Sequence, residues 1–139
     1  MKIELKRIND AVAFEASGSG NVKVHIDGSE AIGGQNLGVR PMELVLMALG
    51  SCSSLDLISI LKKQRQEIKN LSVSVDGERR DAVPSVFTKV HLTFDITGNV
   101  DIAKAEKAAE LAVKKYCSVH DMLAAGGVEI TYSLNFKAG

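Results

Sequence analysis

The sequence predicts an α+β fold with its elements in the order βββ-α-ββ-α-α-β. Three observations point there. Six stretches read as strands, two of them with clean alternation of apolar and polar residues; two long stretches have helical composition or period; and no glycine-rich strand-to-helix turn of the phosphate-binding kind joins them. The length, 139 residues, suits one ordinary domain spanning 1–139 and large enough to bury a core.

Taken in order, "KIELKR", "AVAFEAS" and "NVKVHID" read as short strands, joined by Asn9-Asp10 and by "GSG", both suited to tight hairpins. An antiparallel meander is expected. Residues 28–40, "GSEAIGGQNLGVR", are glycine-rich and aperiodic, a long connection of the sort that often carries function. Pro41 fits a first helical turn and Glu43 complements the helix dipole, so a helix is expected from there to Ile68, about 40 Å at roughly 1.5 Å per residue. Its first half, "PMELVLMALGSCSSLDLISIL", is apolar nearly all round, whereas "KKQRQEI" is polar on one side. The first half therefore needs protein on every face, and a partner subunit is the natural cover, so a homodimer is expected.

The next two strands, "LSVSVDGERR" and "SVFTKVHLTFDIT", form a hairpin around Asp81 to Pro84, with Val86, Thr88, Val90, Leu92, Phe94 and Ile96 alternating with Lys89, His91 and Thr93. "DIAKAEKAAELAVKKYC" is an amphipathic helix whose inner face carries Ile102, Ala105, Ala109, Ala112, Val113 and Tyr116. Ser118 and Asp121 resemble a capping box, which starts a short helix directly after Cys117. "VEITYSLNF" closes the chain as a strand with one wet face, and antiparallel sheets are expected throughout.

Composition narrows the function. Seventeen basic residues balance seventeen acidic ones, so neither nucleic acid nor an anionic membrane is expected as a partner. Two cysteines and the polar start "MKIELKRIND" fit a reducing cytoplasm better than a secreted disulfide scaffold. The apolar window Leu44 to Leu61 holds Gly50, Asp56 and four serines, which hydrocarbon would penalise, so it is expected as a buried helix rather than a span.

Cys52 lies in "LGSCSSLD", where small neighbours leave room beside the sulfur and hydroxyls can donate to it or to an incoming oxygen. The bland alternative is a buried cysteine acting as a small hydrophobe. Cys117, in "KKYCSVHDM", follows two lysines and precedes a helix N-terminus, both of which favour a thiolate. Cys117 and His120 have the one-turn spacing of two zinc ligands, but the second spaced pair of a tetrahedral site is missing, so no metal is expected. A Cys-His hydrolytic dyad lacks an orienting third residue and an oxyanion hole. His25 and His91 fall on strand faces, and Arg79 and Arg80 in "GERRD" sit in a turn from which they could reach a neighbouring site.

The stretch "IDGSEAIGGQNLGVRPMELVLMALGSCSSLDLISIL" with the downstream "AVKKYCSVHDML" resembles the OsmC/Ohr family of osmotically induced and organic-hydroperoxide-resistance proteins. The likeness covers nearly the whole chain: meander, glycine-rich loop, Pro-x-Glu-Leu helix start, a cysteine eleven residues after the proline, and a second at the end of the next helix. It implies an OsmC-like intertwined homodimer in which sheets of both chains enclose the central helices. It also implies thiol peroxidase chemistry, with Cys52 as peroxidatic and Cys117 as resolving cysteine, no bound cofactor, an organic hydroperoxide as substrate, and a dithiol or lipoyl-type reductant. Peroxidases of the family carry an arginine beside the glycines before the third strand and a glutamate directly after the helix-starting proline. Here that region reads "ASGSGNV", and Met42 follows Pro41 with Glu43 one place later, which turns the carboxylate by about 100° on a helix. The chain is thus closer to the OsmC-like branch, with Arg40 and Glu43 as the auxiliary candidates.

Overall fold

The computed structural model describes residues 1–139 and gives the expected order of elements. The chain groups into two compact units, Met1–Val45 and Leu46–Gly139, with the boundary inside the long helix. In the first unit β1 (Glu4–Arg7), β2 (Phe14–Ser17) and β3 (Lys23–Ile26) form the antiparallel meander, in register Arg7 to Phe14 and Phe14 to Ile26. Ala13 and Ala16 are buried there, whereas Leu5, Phe14 and Val24 stay exposed in the single chain.

The glycine-rich connection is tied down by one side chain. Asp27 is buried, and its carboxylate accepts the N–H groups of Gly28 at 2.8 Å, Gln35 at 2.9 Å and Leu37 at 3.1 Å. Val39 pairs with β3 by exchanging backbone hydrogen bonds with His25 and Asp27. Two glycines permit this return of the chain. A Cβ on Gly34 would stand 1.8 Å from the Gly28 carbonyl oxygen, and one on Gly38 would stand 2.4 Å from the His25 carbonyl. Backbone closeness, rather than flexibility, explains them.

Helix α1 runs Pro41–Lys63 and ends five residues short of the expected Ile68. The cause is a left-handed residue without glycine: Arg65 has φ of 58°, its N–H bonds the Lys62 carbonyl, and the Gln66 N–H bonds that of Leu61. That is the Schellman pattern, which stops a helix and turns the chain into the next strand.

In the second unit β4 (Ile68–Arg79), β5 (Phe87–Gly98) and β6 (Glu129–Lys137) form one sheet in the order β4-β5-β6. The β4–β5 hairpin is antiparallel, but β5 and β6 run parallel, which corrects the expectation of antiparallel pairing throughout. A one-wet-face alternation looks the same in either direction, and direction is set by the helical crossover between β5 and β6. A bulge opposite Glu78 and Arg79 moves the buried position from Val86 and Thr88 to Phe87; beyond it Val90, Leu92, Phe94 and Ile96 are buried as expected.

One face of α1 is buried at Leu49, Gly50, Ser53, Leu57 and Leu61, and Gly50 faces Val73 and Val75 of β4. Gly50 matters, because a Cβ there would lie 2.8 Å from Val75 Cγ2, so glycine lets helix and strand approach. The opposite face is bare: Met47, Leu55 and Ile58 are exposed, and under a third of the most apolar window is buried within one chain. The expected all-round burial is therefore not met by a single chain.

The second long helix is α-helical only over Ile102–Glu110 (α2); Leu111–Tyr116 winds as a π-helical turn. Ala105, Ala108, Ala109, Ala112 and Val113 are fully buried, whereas Ile102 and Tyr116 are exposed. The wider π winding departs from the 3.6-residue period used to assign Tyr116 to the inner face, and Cys117 is buried in its place. Helix α3 (Ser118–Ala125) comes at once after it.

Candidate active site

Cys52 and Cys117 are brought together from two elements 65 positions apart in sequence. Cys52 lies midway along α1, partly exposed; Cys117 lies between the π turn and α3 at 1% exposure. Both are free thiols, and the Cys52 side chain stands close enough to influence the ionisation of Cys117.

The backbone at Cys117 is extended, with φ of −76° and ψ of 105°, because this residue, not Ser118, is the N-cap of α3. Its Sγ accepts the His120 N–H at 3.3 Å, the place a serine or aspartate oxygen usually fills. A second donor comes from α1, where the buried Ser53 hydroxyl reaches Cys117 Sγ at 3.5 Å. Of the neighbouring hydroxyls, Ser51 donates back to the Met47 carbonyl, and the Ser54 Oγ atom is buried without a partner. Helical spacing makes Ala48, Leu49, Leu55 and Asp56 the one-turn neighbours of Cys52; Ala48 and Leu55 are exposed, Asp56 is half-buried and Leu49 is buried.

Burial pushes the Cys117 thiol up from its ordinary range; the Ser53 and His120 donors pull it back in part, and Cys52 raises it further. This corrects the expectation that nearby lysines and a helix N-terminus make Cys117 a ready thiolate. Desolvation outweighs them, and Lys114 and Lys115 point to solvent, with Lys115 over the Tyr116 ring.

The auxiliary candidates are engaged at the start of α1. Glu43 Oε1 accepts the Arg40 N–H at 2.8 Å, the reach-back half of a capping box, with Arg40 as N-cap and Pro41 as first helical residue. The Arg40 guanidinium lies near enough to help hold the Asp27 carboxyl below its usual range, after the backbone donors led by Gln35. Asp27 escaped the sequence reading, since an aspartate before glycine looks like any turn residue. Arg79 and Arg80 brace their own hairpin by donating to the Ser85 and Pro84 carbonyls. His25 pairs with Glu15 across β2 and β3, and His91 bridges the Thr131 and Ser133 hydroxyls. His120 Nδ1 meets its neighbour Asp121, and no group of three or more His, Cys, Asp or Glu is arranged to hold a metal ion.

Comparison with known proteins bears on the family and the fold. The family model described as OsmC-like protein matches residues 33–133. Protein YhfA of Escherichia coli (strain K12) is 37% identical over 139 residues, covering 99% of each chain. A hypothetical protein from Aquifex aeolicus VF5 has a solved structure that superposes with a TM-score of 0.81 at 30% identity, covering 98% of this chain and 96% of that one. An organic hydroperoxide resistance protein from Legionella pneumophila shares the fold at 16% identity, with a TM-score of 0.71 and 97% of each chain covered. With a family match over most of its length and a full-length relative above a third identical, the chain belongs to the OsmC-like family.

Proposed function

We propose that this protein is a thiol-dependent peroxidase that reduces organic hydroperoxides in the cytoplasm, with Cys52 as peroxidatic and Cys117 as resolving cysteine. One observation carries the reading: two free thiols, one on α1 and one at the N-cap of α3, lie close enough to interact, one partly open to solvent and one sealed. A Cys52 thiolate attacks one peroxide oxygen, the O–O bond breaks, an alcohol leaves, and the sulfur becomes a sulfenic acid. Cys117 then displaces the hydroxyl, released as water, and closes a Cys52–Cys117 disulfide that an external dithiol of the lipoyl type reduces by exchange. The fold shared with a protein described as an organic hydroperoxide resistance protein supports the theme.

The bare apolar face of α1 supports two further parts of the proposal. It supports a homodimer, because Met47, Leu55 and Ile58 need cover in water. The largely apolar composition of α1 around Cys52 also suits the carbon tail of an organic hydroperoxide better than hydrated hydrogen peroxide. A second reading, a non-catalytic dimer that binds a small apolar ligand or senses redox state, is favoured by the use of the Glu43 carboxylate as a helix cap.

Turnover separates the two readings. With dihydrolipoamide as reductant, the peroxidase consumes cumene hydroperoxide faster than hydrogen peroxide, and Cys52→Ser abolishes the reaction. Equal rates on both peroxides contradict the substrate preference; undiminished turnover in Cys52→Ser contradicts the peroxidase itself.

A further inference from the structure

The Cys52–Cys117 disulfide offers a reductant two sulfurs, and the fold treats them differently. Cys117 is 1% exposed within a single chain, so no arrangement of a partner subunit can uncover it, whereas Cys52 is partly open. Cys117 also has two donors aimed at its sulfur, the Ser53 hydroxyl at 3.5 Å and the His120 N–H at 3.3 Å. Ser53 is fully buried and sits next to Cys52 on α1, so the residue just after the attacked sulfur supports the departing one.

Resting on the peroxidase reading, we propose that Ser53 is a positioning residue which, with the His120 N–H, holds Cys117 as the leaving group and directs the reductant to Cys52. The reductant is a small dithiol. Its thiolate attacks Cys52 Sγ, the S–S bond breaks, and the electron pair passes to Cys117 Sγ, leaving a mixed disulfide on Cys52 and a thiolate on Cys117. The second thiol of the reductant, once deprotonated, attacks its own sulfur in the mixed disulfide. Cys52 departs as a thiolate, and the reductant leaves as its internal disulfide. The two donors are needed because burial alone disfavours a thiolate at Cys117, and a hydrogen bond to a charged sulfur is stronger than one to a neutral group. A structural hydroxyl in a helix would bond a carbonyl one turn back, as Ser51 does; Ser53 instead points across to the other cysteine.

The test forms the disulfide with diamide rather than peroxide, so it runs whether or not the protein is a peroxidase. Oxidised full-length protein is mixed briefly with 2-mercaptoethanol, quenched in acid, blocked with N-ethylmaleimide and mapped by peptide mass spectrometry. The mercaptoethanol adduct is expected on Cys52 and the maleimide on Cys117; an adduct on Cys117, or an even split, overturns the proposal. Failure of diamide to join the two cysteines also overturns it. Ser53→Ala should slow the reduction about tenfold and Ser53→Thr should restore it. In a Cys52→Ser background Cys117 is the only cysteine, and thiolate absorbance reads its titration directly. Ser53→Ala should move that titration upward and Ser53→Thr return it, a shift that a purely structural serine does not produce. Unchanged rate and titration in Ser53→Ala reject the role of Ser53. If peroxide leaves both thiols untouched while the mercaptoethanol adduct still falls on Cys52, the peroxidase reading fails and the directed exchange stands.

Discussion

Single side chains decide the local chemistry of this protein, and Asp27 is the clearest case. Its carboxylate gathers the N–H groups of Gly28, Gln35 and Leu37, and these donors hold its ionisation below the ordinary carboxylate range. The folded-state value is depressed, so the stabilisation is complete above the unfolded carboxyl's value of about 4 and is lost as pH falls through the lower folded value. Asp27→Asn should lower the urea midpoint at pH 7, and the gap between parent and variant should shrink as pH drops below about 4; a constant gap would contradict the assignment. None of this was legible in "HIDGSEAIGG", because the three donors lie up to ten positions away and only the folded loop aims them. Cys117 was half legible. Its place before a helix could be read from "KKYCSVHDM", but desolvation, which reverses the expected direction of its ionisation, depends on packing that no local window reveals.

Elements were legible where a period or a cap repeats, and illegible where one residue breaks a rule. The strand meander, the start of α1 at Pro41 and the start of α3 after Cys117 are all dictated by spacing and capping chemistry. The end of α1 was not, because Arg65 occupies the left-handed position that glycine usually fills. That substitution gives an element-scale prediction. Arg65 is exposed and its left-handed backbone is strained, so Arg65→Gly should stabilise the protein by about 0.5–1 kcal/mol in chemical denaturation. A loss of stability would show that the arginine side chain makes a compensating interaction. The π turn at Leu111–Tyr116 was invisible for a related reason, since a single wider turn leaves the alanine pattern before it intact and re-aims only the residues at its C-terminal end, Tyr116 and Cys117. The parallel pairing of β5 and β6 likewise depends on where the crossover returns, not on the strand sequences themselves.

At the scale of the whole molecule, the long helix poses the question that the sequence first raised. It buries Leu49, Ser53, Leu57 and Leu61 within its own chain and leaves Met47, Leu55 and Ile58 bare. A chain with balanced charge and an apolar face of this kind should associate with a second copy. Light scattering should therefore give twice the chain mass, and Leu55→Lys should shift the protein toward monomer while its strands and helices remain intact by circular dichroism. A monomeric parent would contradict the proposed dimer. The pairing of Cys52 with Cys117 also belongs to this scale, because only the fold joins α1 to the turn before α3. The order of the motifs suggested the pair, and the Ser53 hydroxyl that reaches Cys117 emerged only with the packing.

The most direct test of the central claim treats reduced protein with one equivalent of cumene hydroperoxide and maps the products by mass spectrometry, in the parent and in Cys117→Ser. The account predicts a Cys52–Cys117 disulfide in the parent and a trappable Cys52 sulfenic acid in the variant. Unmodified thiols in both, or oxidation that begins at Cys117, would contradict it.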